Sequence, residues 1–545
     1  MKTKHQQAKT FHSWKAIANY FGCSERTVRR WESAEGLPVH RHQHQSAARI
    51  FAYQQELDTW FASRADKPKS SQRSASQPIR LALIPFTFLA EAQDKAYLAD
   101  ALGEDIVADL TSLPALMVIS FSSMRQLAMK QADFSDQIKA LALDYLIEGS
   151  LRLEGESARL NIRLVSTRDQ SVVWTTRYNE SQPNWQDLQQ RIVSQLVTSL
   201  PLSNMEAVLA PCQRTILASQ TAWEYLHQAR IASLTWQPQG IAKALELLNA
   251  ANHMVPDNAL IQASLGRAYL QLRESGIDCS KAPMEKVKGI LNFLNQHHSD
   301  AFYTLSLQAW FCYLQGDINT AIAALKRALE YQPNDADSLA LLANCYLLSG
   351  LPALALPSIQ TLQIIDPLTP LSRCMPGYYQ LMSGNLPQAI GPYHEMLSLD
   401  PNNPLARLFM VWVLALNDES ARAESVCAGF NTVSADPLIV QIAYALRDNL
   451  LGQPVNFSLN AAQEKEVKVN GMLARFTAYG YAASGDKSRA VHWLHRAFKL
   501  GFRAYPFVSQ YDPFFRPFKD YPPMQKLLTN MAAEWHSATE FNSQL

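Results

Sequence analysis

The chain has few cysteines, and their spacing excludes two common uses of them. The seven cysteines are odd in number and none forms a Cys-x-x-Cys pair; they are Cys23, Cys212, Cys279, Cys312, Cys345, Cys374 and Cys427. A disulfide framework or a zinc ribbon needs paired cysteines at short spacing. We therefore expect reduced thiols, several of them in helix cores.

Long apolar runs are also absent. The run from Leu81 to Ala90 contains Pro85, and the run from Leu405 to Leu416 carries Arg407. Both are shorter than the roughly 18 residues that a membrane-spanning helix needs. The amino-terminal residues are polar and lack the apolar core of a signal peptide. These features predict a cytoplasmic protein with no membrane partner.

The sequence lacks the motifs of several common enzyme classes. It has no Walker loop, no Gly-x-Ser-x-Gly, no His-Glu-x-x-His and no dinucleotide fingerprint. Asp105 and Asp109 lie four residues apart in a predicted helix, where we expect them on a solvated face, and Glu148 is no catalytic candidate either. No nucleophile, base and orienting partner can be combined from these residues. We therefore predict that the protein is not an enzyme and has no cofactor and no metal.

Positive charge is balanced overall but concentrated at the amino terminus. The formal net charge is +1, with 49 Lys and Arg against 48 Asp and Glu. Residues 1–80 hold 14 Lys and Arg against 6 Asp and Glu, which leaves 35 against 42 for the rest. A module that binds the phosphates of nucleic acid needs such a local excess of positive charge.

Residues 13–53 show the pattern of a helix-turn-helix followed by a hairpin. With Gly22 as the turn, small and apolar residues recur at helical spacing, and the predicted inward set is Ile17, Ala18, Phe21, Cys23, Val28 and Trp31. Val39–His44 and Arg49–Tyr53 alternate like two short strands joined by a polar loop. Residues 55–64 close the module as a helix with Leu57, Trp60 and Phe61 inward.

The second helix of this pattern leaves one face free for DNA. Ser24 is a suitable N-cap, and Glu25 places negative charge in the first turn, where the helix dipole favours it. The candidates for base edges are Arg26, Thr27 and Arg30, since arginine pairs with guanine in the major groove. The candidates for phosphate contacts are Lys15, Arg29, Arg41 and Arg49.

Histidines alternate along the first predicted strand of the hairpin. His40, His42 and His44 would point to one face, which is a spacing that suits a metal. No cysteine or carboxylate partner is evident nearby in the sequence, so contacts with a groove, with phosphates or with solvent are favoured over metal binding. Imidazoles that contact phosphate would bind DNA more tightly at lower pH.

The segments RTVRRWE, GLPVHRH, FAY and ELDTWF follow one another in the order that a winged helix-turn-helix requires. Residues 11–64 thereby resemble the DNA-binding domain of the MerR and excisionase-like superfamily. The resemblance implies a recognition helix in the major groove with a wing beside it. One such head contacts only a few base pairs, so we expect a homodimer that reads two half-sites.

A polar linker and a small α/β layer follow the head. Residues 65–78 are Ser, Gln, Lys and Pro with almost nothing to bury. Over residues 79–203 we predict strands at Leu81–Phe86, Met117–Phe121, Tyr145–Leu153, Ala158–Ser166 and Val172–Tyr178, and helices at Tyr97–Leu113, Ser123–Leu143 and Leu188–Leu200. The runs LALIPFTFL, DYLIEGSLRLEGESARLNIRLV and VVWTTRYNE make this layer similar to the TolB amino-terminal or FlgO-like domain. That resemblance implies no particular chemistry.

Prolines and glycines recur every 34 residues in the carboxy-terminal part, namely Pro333, Pro367 and Pro401, and Gly316, Gly350 and Gly384. This is the length of a tetratricopeptide repeat. The small residues predicted at the helix crossings are Ala309, Ala343, Gly377, Ala321, Ala355 and Ala389. We predict an α-solenoid over residues 215–535, with an insertion around 274–283, degenerate repeats near 404–470 and a cap that covers the last repeat. Trp223, Trp236, Trp310 and Trp412 are expected mostly to pack between helices. The array is expected to bind a peptide partner in a concave groove, with self-association or plain scaffolding as the alternative.

The predicted fold is therefore multidomain and mostly α-helical, with a winged helix-turn-helix head, a small α/β middle domain and an α-solenoid of tetratricopeptide repeats. The first functional hypothesis is a cytoplasmic, nucleoid-associated transcriptional regulator. It would bind double-stranded DNA through the head, and it would sense a signal or bind a protein or peptide partner through the rest. The second is an adaptor that tethers a protein complex to DNA without regulating a promoter. An architectural DNA-bending factor is disfavoured by the long repeat region.

Overall fold

The computed structural model describes residues 10–21, 25, 28–29, 32, 37–42, 49–54, 56–57, 78–89, 95–129, 134–202, 217, 219–234, 236–432 and 437–544. The chain divides into two compact units, Met1–Gln77 and Pro78–Leu545, and the division falls at the end of the predicted linker. The linker residues 65–77 lie outside the described part. The described residues are mostly α-helical, with a small α/β region ahead of a helical solenoid.

The amino-terminal unit contains a three-stranded sheet and a helix. Its elements are β1 (Thr10–Phe11), α1 (Trp14–Phe21), β2 (His40–His42) and β3 (Arg49–Tyr53). The sheet order is β1-β3-β2 with antiparallel pairing throughout. The two hairpin strands are thus present as predicted, whereas β1 was not expected. Ser13 caps the amino end of α1, since its Oγ accepts a hydrogen bond from the backbone N–H of Ala16 at 3.1 Å.

The core of this unit follows the predicted pattern where the structure describes it. Ile17, Ala18, Val28 and Leu57 are all buried. The backbone is helical at Glu25, Val28, Arg29 and Glu32. Other residues of the predicted motif lie outside the described part, namely Gly22, Cys23, Trp31, Trp60 and Phe61. The assignment of a winged helix-turn-helix therefore stays a prediction.

The α/β region is one mixed sheet with helices packed on it. Its elements are β4 (Ile79–Leu83), β5 (Thr87–Leu89), α2 (Tyr97–Thr111), β6 (Leu116–Val118), α3 (Phe121–Met129), α4 (Phe134–Ala140), β7 (Tyr145–Glu154), β8 (Ser157–Ser166), β9 (Val172–Glu180) and α5 (Trp185–Ser199). The sheet order is β6-β4-β7-β8-β9, and β5 also pairs with β7. Pairing is parallel from β6 to β7 and antiparallel in the meander β7-β8-β9. The predicted meander is confirmed.

Three predicted elements in this region are wrong in extent. The strand predicted at Leu81–Phe86 ends at Leu83, and β5 begins only at Thr87. Pro85 lies in the gap, where it has no N–H to donate to the ladder. The strand predicted at Met117–Phe121 ends at Val118, and Phe121 begins a helix. The helix predicted at Ser123–Leu143 begins earlier, at Phe121, and ends earlier, at Ala140; it is described as α3 and α4, and residues 130–133 between them lie outside the described part.

The prediction that Asp105 and Asp109 lie on a solvated face is wrong. Ten of the fifteen residues of α2 are buried, because the helix packs against β6 and also against three other helices. Asp109 Oδ2 accepts a hydrogen bond from Gln189 Nε2 at 2.6 Å, and Asp105 Oδ2 accepts one from Trp223 Nε1 at 3.0 Å. Apolar periodicity reveals one packed face of a helix and cannot reveal a second.

The solenoid consists of consecutive helices joined by short turns. They are α6 (Gln220–Ser233), α7 (Pro238–Met254), α8 (Ala259–Glu274), α9 (Ala282–His297), α10 (Phe302–Gln315), α11 (Ile318–Tyr331), α12 (Ala336–Leu348), α13 (Pro352–Ile365), α14 (Pro370–Met382), α15 (Ile390–Leu399), α16 (Pro404–Leu416), α17 (Ser420–Ala428), α18 (Pro437–Leu450), α19 (Ala461–Val467), α20 (Gly471–Ala483), α21 (Lys487–Lys499) and α22 (Pro522–Gln544). The connection between α8 and α9 lies where the insertion was predicted. The region predicted to be degenerate contains the two short helices α17 and α19.

The 34-residue period is confirmed by the backbone. Gly316, Gly350 and Gly384 each follow the first helix of a pair, and their φ angles are +81°, +71° and +84°. Only glycine adopts such angles without strain. The predicted crossing residues are all buried, and a Cβ added to Gly377 would lie 2.7 Å from Cδ2 of Tyr393. The helices of each pair therefore approach each other closely at these positions.

The carboxy-terminal segment reaches further than the predicted cap. Residues 499–511 pass the turn glycines of three earlier repeats: the Lys499 carbonyl lies beside Gly316, Ala504 beside Gly350 and Tyr511 beside Gly384. Trp535, in α22, donates a hydrogen bond from Nε1 to the Gly350 carbonyl at 3.0 Å. A cap confined to the last repeat was therefore too limited a prediction.

A buried carboxyl group fixes the start of this tail and makes its stability depend on pH. Asp512 is fully buried, where it accepts hydrogen bonds from the Tyr479 hydroxyl and from the Phe514 N–H. Burial raises the pKa of Asp512 to about 7, although these hydrogen bonds oppose the shift. In the unfolded chain an aspartate has a pKa of about 4. The folded protein thus retains a proton that the unfolded chain releases, so stability falls as pH rises between these two values.

We expect the free energy of unfolding of the wild type to fall by about 1.5 kcal/mol from pH 5.5 to pH 7.0 on account of Asp512. In Asp512→Asn the neutral amide keeps an acceptor for the Phe514 N–H, so most of this dependence should be absent. Urea denaturation of both proteins at the two pH values measures the difference. An equal pH dependence in both would contradict the assignment.

The α/β region docks on the solenoid through two consecutive turns between repeats. Asn334 Nδ2 donates a hydrogen bond to the Leu116 carbonyl at 2.8 Å. One repeat later, Asp366 accepts hydrogen bonds from Ser120 Oγ at 2.5 Å and from Ser123 Oγ at 2.9 Å. The backbone N–H of Ser120 also donates to the Ile365 carbonyl at 2.6 Å. The end of β6 and the start of α3 are therefore held by the solenoid.

In the described part of the chain, no helix has both the length and the apolar character that crossing a bilayer requires. Five cysteines of this part are free thiols, and burial raises the pKa of Cys374 to about 12. Such a thiol stays protonated and behaves as a core residue.

Candidate nucleic-acid interface and interior cavity

The structure describes some of the candidate DNA-contacting residues and not others. Ser24, Arg26, Thr27 and Arg30 lie outside the described residues. His42 and Arg49 are opposite each other in the hairpin of β2 and β3, and only their backbone is described. The remaining candidates are Lys15, Glu25, Arg29, His40 and Arg41. The structure therefore does not describe the residues predicted to contact base edges. It does describe most of the residues predicted to contact phosphates.

Arg29 connects the second helical segment to α1. Its guanidinium lies 5.1 Å from the centroid of the Trp14 ring, and its Nη2 lies 4.0 Å from Glu25 Oε2. The side chain remains 60% exposed, so a phosphate oxygen can still reach it. Lys15 is exposed on α1. Both residues are thus available as backbone contacts of the kind that orient a DNA-binding domain.

Arg41 and His40 each have an acidic partner within the head. Arg41 Nη2 lies 2.5 Å from Glu32 Oε1, and His40 Nε2 lies 2.6 Å from Glu56 Oε2. The expectation that the histidines have no carboxylate nearby is therefore wrong for His40, because the hairpin brings together residues that are distant in sequence. The described residues include no group of three or more His, Cys, Asp or Glu that could hold a metal ion. These pairs orient the two side chains and reduce the charge they offer to phosphate.

The carboxy-terminal unit contains one large cavity of about 2650 Å³. Its wall is formed by α2 of the α/β region, by helices of the solenoid from α6 to α16, and by α20 with the residues after α21. A cavity this large exceeds the usual size of a small-molecule site and suits a groove that holds a peptide or several groups of a ligand.

At the α/β end, the cavity wall contains a cluster of paired charges. His227 Nε2 lies 3.1 Å from Asp105 Oδ2, and Arg230 Nε lies 3.2 Å from Glu104 Oε2. His227 is buried, and its Nδ1 has no hydrogen-bond partner among the described residues. Sequence reasoning missed this cluster. The only signal for this cluster in the sequence was four polar residues in two helices whose other residues predict close packing.

The tryptophans that were predicted to pack between helices behave in two ways. Trp223 and Trp412 are buried, as predicted. Trp236 is 43% exposed, so the prediction is wrong for it, and its ring centroid lies 6.2 Å from that of Trp310. Trp310 Nε1 donates to Glu274 Oε2 at 2.8 Å, and burial raises the pKa of Glu274 to about 7. All four tryptophans line the cavity.

Two family models match parts of the chain. Residues 76–195 match the second domain of HilA/YgeH-like transcriptional regulators, and residues 313–371 match the tetratricopeptide repeat. The first match covers the mixed sheet with α2 to α5. The second covers repeats whose turns contain Gly316 and Gly350. Only the last two residues of the amino-terminal unit, 76 and 77, fall within a match, and the finer resemblances to MerR-like heads and to TolB or FlgO-like domains are not shown.

One curated relative is the "Putative adenylate cyclase 3" of Rhizobium meliloti (strain 1021), which is 22% identical over 213 residues. The aligned region is 38% of this chain and 36% of the relative, so the chain spans about a third of that protein's length. The relative's name contradicts the prediction that the protein is not an enzyme. The missing motifs excluded only the enzyme classes that those motifs define, although the regulator and repeat domains do not by themselves indicate an enzyme.

Solved tetratricopeptide proteins resemble the solenoid only loosely. A thermophilic repeat protein of Thermus thermophilus is 19% identical, with 35% of this chain and 98% of that chain covered and a TM-score of 0.30. The Cut9–Hcn1 hetero-tetramer of the APC/C is 13% identical, with 63% and 59% covered and a TM-score of 0.36. The family matches are the firmer finding: the chain contains a domain similar to the second domain of HilA/YgeH-like transcriptional regulators, followed by tetratricopeptide repeats.

Proposed function

We propose that the protein is a transcriptional regulator that binds double-stranded DNA through its amino-terminal unit and a protein or peptide partner through its repeats. The observation that carries the proposal is the matched regulator domain directly after a basic head. Residues 1–80 hold 14 Lys and Arg against 6 Asp and Glu, and the match begins at residue 76. Local positive charge of this kind supplies the affinity of DNA-binding modules for phosphate.

The described geometry of the head supports a winged helix-turn-helix. Val28 is buried while Arg29, one residue later in the same helical segment, is exposed. The hairpin of β2 and β3 provides the wing, with Arg41 exposed at 53% on it. In this arrangement Arg26, Thr27 and Arg30 read base edges, while Lys15, Arg29, Arg41 and Arg49 contact phosphates. Ser24 and Glu25 form the start of the recognition helix, and His40 and His42 lie on the wing.

The partner-binding role rests on the matched repeats and on the large cavity beside them. Stacked helix pairs expose a continuous inner surface, and proteins of this architecture use it to hold extended peptides. A dimer that places two heads on two half-sites completes the proposal, because one head contacts few base pairs.

We expect the full-length protein to protect a discrete DNA site, with an affinity that falls by roughly 10³ to 10⁵ between 50 and 200 mM salt if six to ten phosphates are contacted. Arg26→Ala with Arg30→Ala should relax the sequence preference, since each base-edge contact contributes about 1–3 kcal/mol of discrimination. Lys15→Ala should weaken all sequences equally. Footprinting and fluorescence anisotropy measure both effects.

Lys139→Ala is the matched control, because Lys139 is an exposed lysine in α4, within the other compact unit. It should leave both affinity and sequence preference unchanged. Normal footprints from the Arg26/Arg30 double variant would refute the assigned recognition helix. An affinity that changes little with salt concentration and does not depend on DNA sequence would indicate an adaptor instead of a regulator.

A further inference from the structure

A single arginine is buried in the wall of the large cavity. Arg475 lies in the first half of α20, and only 7% of it is exposed. It is the only Lys or Arg among the residues counted as buried in the described part of the chain. Removal of a guanidinium ion from water is unfavourable unless a counter-charge or several acceptors replace the water.

Aromatic rings surround this guanidinium on several sides. Its Cζ lies between 4.9 and 5.5 Å from the ring centroids of Phe476, Trp412, Phe502 and Tyr378. Ring faces attract a cation, but they do not accept the hydrogen bonds that its five N–H groups offer. The rings therefore stabilise the positive charge of Arg475, but they provide no acceptors for its N–H groups.

The hydrogen-bond partners of Arg475 are correspondingly few. Nη1 donates to the Tyr378 hydroxyl at 2.8 Å. Nε is buried and has no acceptor within the described residues, and no described carboxylate lies within 4.0 Å of the guanidinium. Asp512 interacts with Arg475 electrostatically, which partly opposes the rise that burial causes in the pKa of Asp512, but its carboxyl group is hydrogen-bonded to the Tyr479 hydroxyl and not to the guanidinium. Arg475 is thus a buried cation with no described carboxylate in direct contact.

The same arginine borders open space. Arg475 and Tyr378 line the cavity and remain 7% and 6% exposed, so a molecule inside it can reach the edge of the guanidinium, whereas Trp412 and Phe502 are at most 2% exposed. Elsewhere in the wall, Arg230 and Arg267 have carboxylate partners, Glu104 and Asp337. An anion would compete with those carboxylates at these two arginines, but not at Arg475.

We infer that the Arg475 end of the cavity is a binding site for a small monocarboxylate with an aromatic ring. The carboxylate would accept hydrogen bonds from the guanidinium, and its ring would pack on the partly exposed Phe409, which lines the cavity and stacks on Phe476 with ring centroids 5.4 Å apart. One guanidinium in apolar surroundings balances one negative charge, so a phosphate dianion would retain an unpaired charge. The site stands independently of the proposed binding of DNA.

The test uses the full chain and two probe pairs: phenylacetate with phenylacetamide, and indole-3-acetate with indole-3-acetamide. Isothermal titration should give saturable binding of at least one carboxylate, with its amide at least tenfold weaker because it lacks the charge. Arg475→Lys keeps the charge but loses the planar fork, and it should weaken binding at least tenfold. Tyr378→Phe keeps the ring and should weaken binding several-fold.

Arg489→Lys is the matched control, because Arg489 also lies over a tyrosine ring, at 5.5 Å from Tyr481, but its side chain is 61% exposed. It should bind the carboxylates as the wild type does. Thermal unfolding of each variant shows whether it is folded before titration, and Tyr378→Phe provides the test if Arg475→Lys does not fold. The inference is overturned if neither carboxylate saturates below 10 mM, roughly the weak limit of specific small-ligand binding, if the amides bind equally well, or if neither site variant weakens binding.

Discussion

Replacement of Asp366 by alanine is expected to release the α/β region from the solenoid and to destabilise the carboxy-terminal unit by roughly 3–5 kcal/mol. Asp366 is 7% exposed. Its carboxylate accepts hydrogen bonds from the hydroxyls of Ser120, Ser123, Thr369 and Ser372. Alanine would leave these hydroxyls without their acceptor in a mostly buried site, and a lost charged acceptor costs more than a neutral one.

Asp400 is the matched control for this substitution. It occupies the same position one repeat later, before Pro401 as Asp366 is before Pro367. It is only partly buried, and its side chain accepts a hydrogen bond from Asn403 Nδ2 at 3.1 Å. Asp400→Ala should therefore cost about 1 kcal/mol.

Urea denaturation gives the two stabilities, and hydrogen exchange shows where protection is lost. In Asp366→Ala, amides of residues 119–129 should exchange faster, whereas in Asp400→Ala they should not. Equal destabilisation by the two substitutions, or unchanged protection of residues 119–129 in Asp366→Ala, would show that Asp366 does not hold the two regions together.

These contacts bear on how the carboxy-terminal unit acts. Leu116 is the first residue of β6 and Ser120 lies between β6 and α3, and consecutive repeat turns contact both of them. A rearrangement of the repeats around Asn334 and Asp366 would therefore displace the edge strand of the α/β sheet. Contacts between described residues thus connect the repeats that line the cavity directly to the regulator-like domain.

The sequence predicted the periodic features of the fold because they repeat. Gly316, Gly350 and Gly384 share an interval and each requires a left-handed backbone, so three weak signals support one another. The meander was predictable because β7, β8 and β9 alternate in polarity and are joined by short turns. These features depend on local chemistry alone.

The docking of the α/β region was not predictable, and Asp366 shows why. The pair Asp366-Pro367 is identical in sequence to Asp400-Pro401, yet only the first meets two serines that are more than 240 residues away in the chain. The same limit applies to Arg475. A periodic pattern predicts that this residue lies on a helix, but it does not predict that four aromatic rings surround its side chain. At the head, the sequence identified exposed basic residues such as Arg29 and Lys15, but it did not pair His40 with Glu56, because that pairing depends on the closed hairpin.

Substitution of Gly316 by alanine is expected to detach the carboxy-terminal segment from the repeat turns and to destabilise the unit by roughly 2–4 kcal/mol. Two effects add. The φ angle of +81° is strained for alanine, and a Cβ would lie 2.8 Å from the Lys499 carbonyl oxygen. The neighbouring backbone cannot move freely, since the Gly316 carbonyl accepts a hydrogen bond from Arg503 Nη2 at 3.1 Å.

Gly485→Ala separates these two effects. Gly485 has a φ angle of +78°, and a Cβ added there would meet nothing within 4 Å. Its substitution should therefore cost only the backbone strain, about 1 kcal/mol. Hydrogen exchange of residues 499–511 should accelerate in Gly316→Ala and stay unchanged in Gly485→Ala. If both substitutions cost the same and neither alters exchange in that segment, the tail is not held by the repeat turns, and the stability of the solenoid must come from its helix pairs alone.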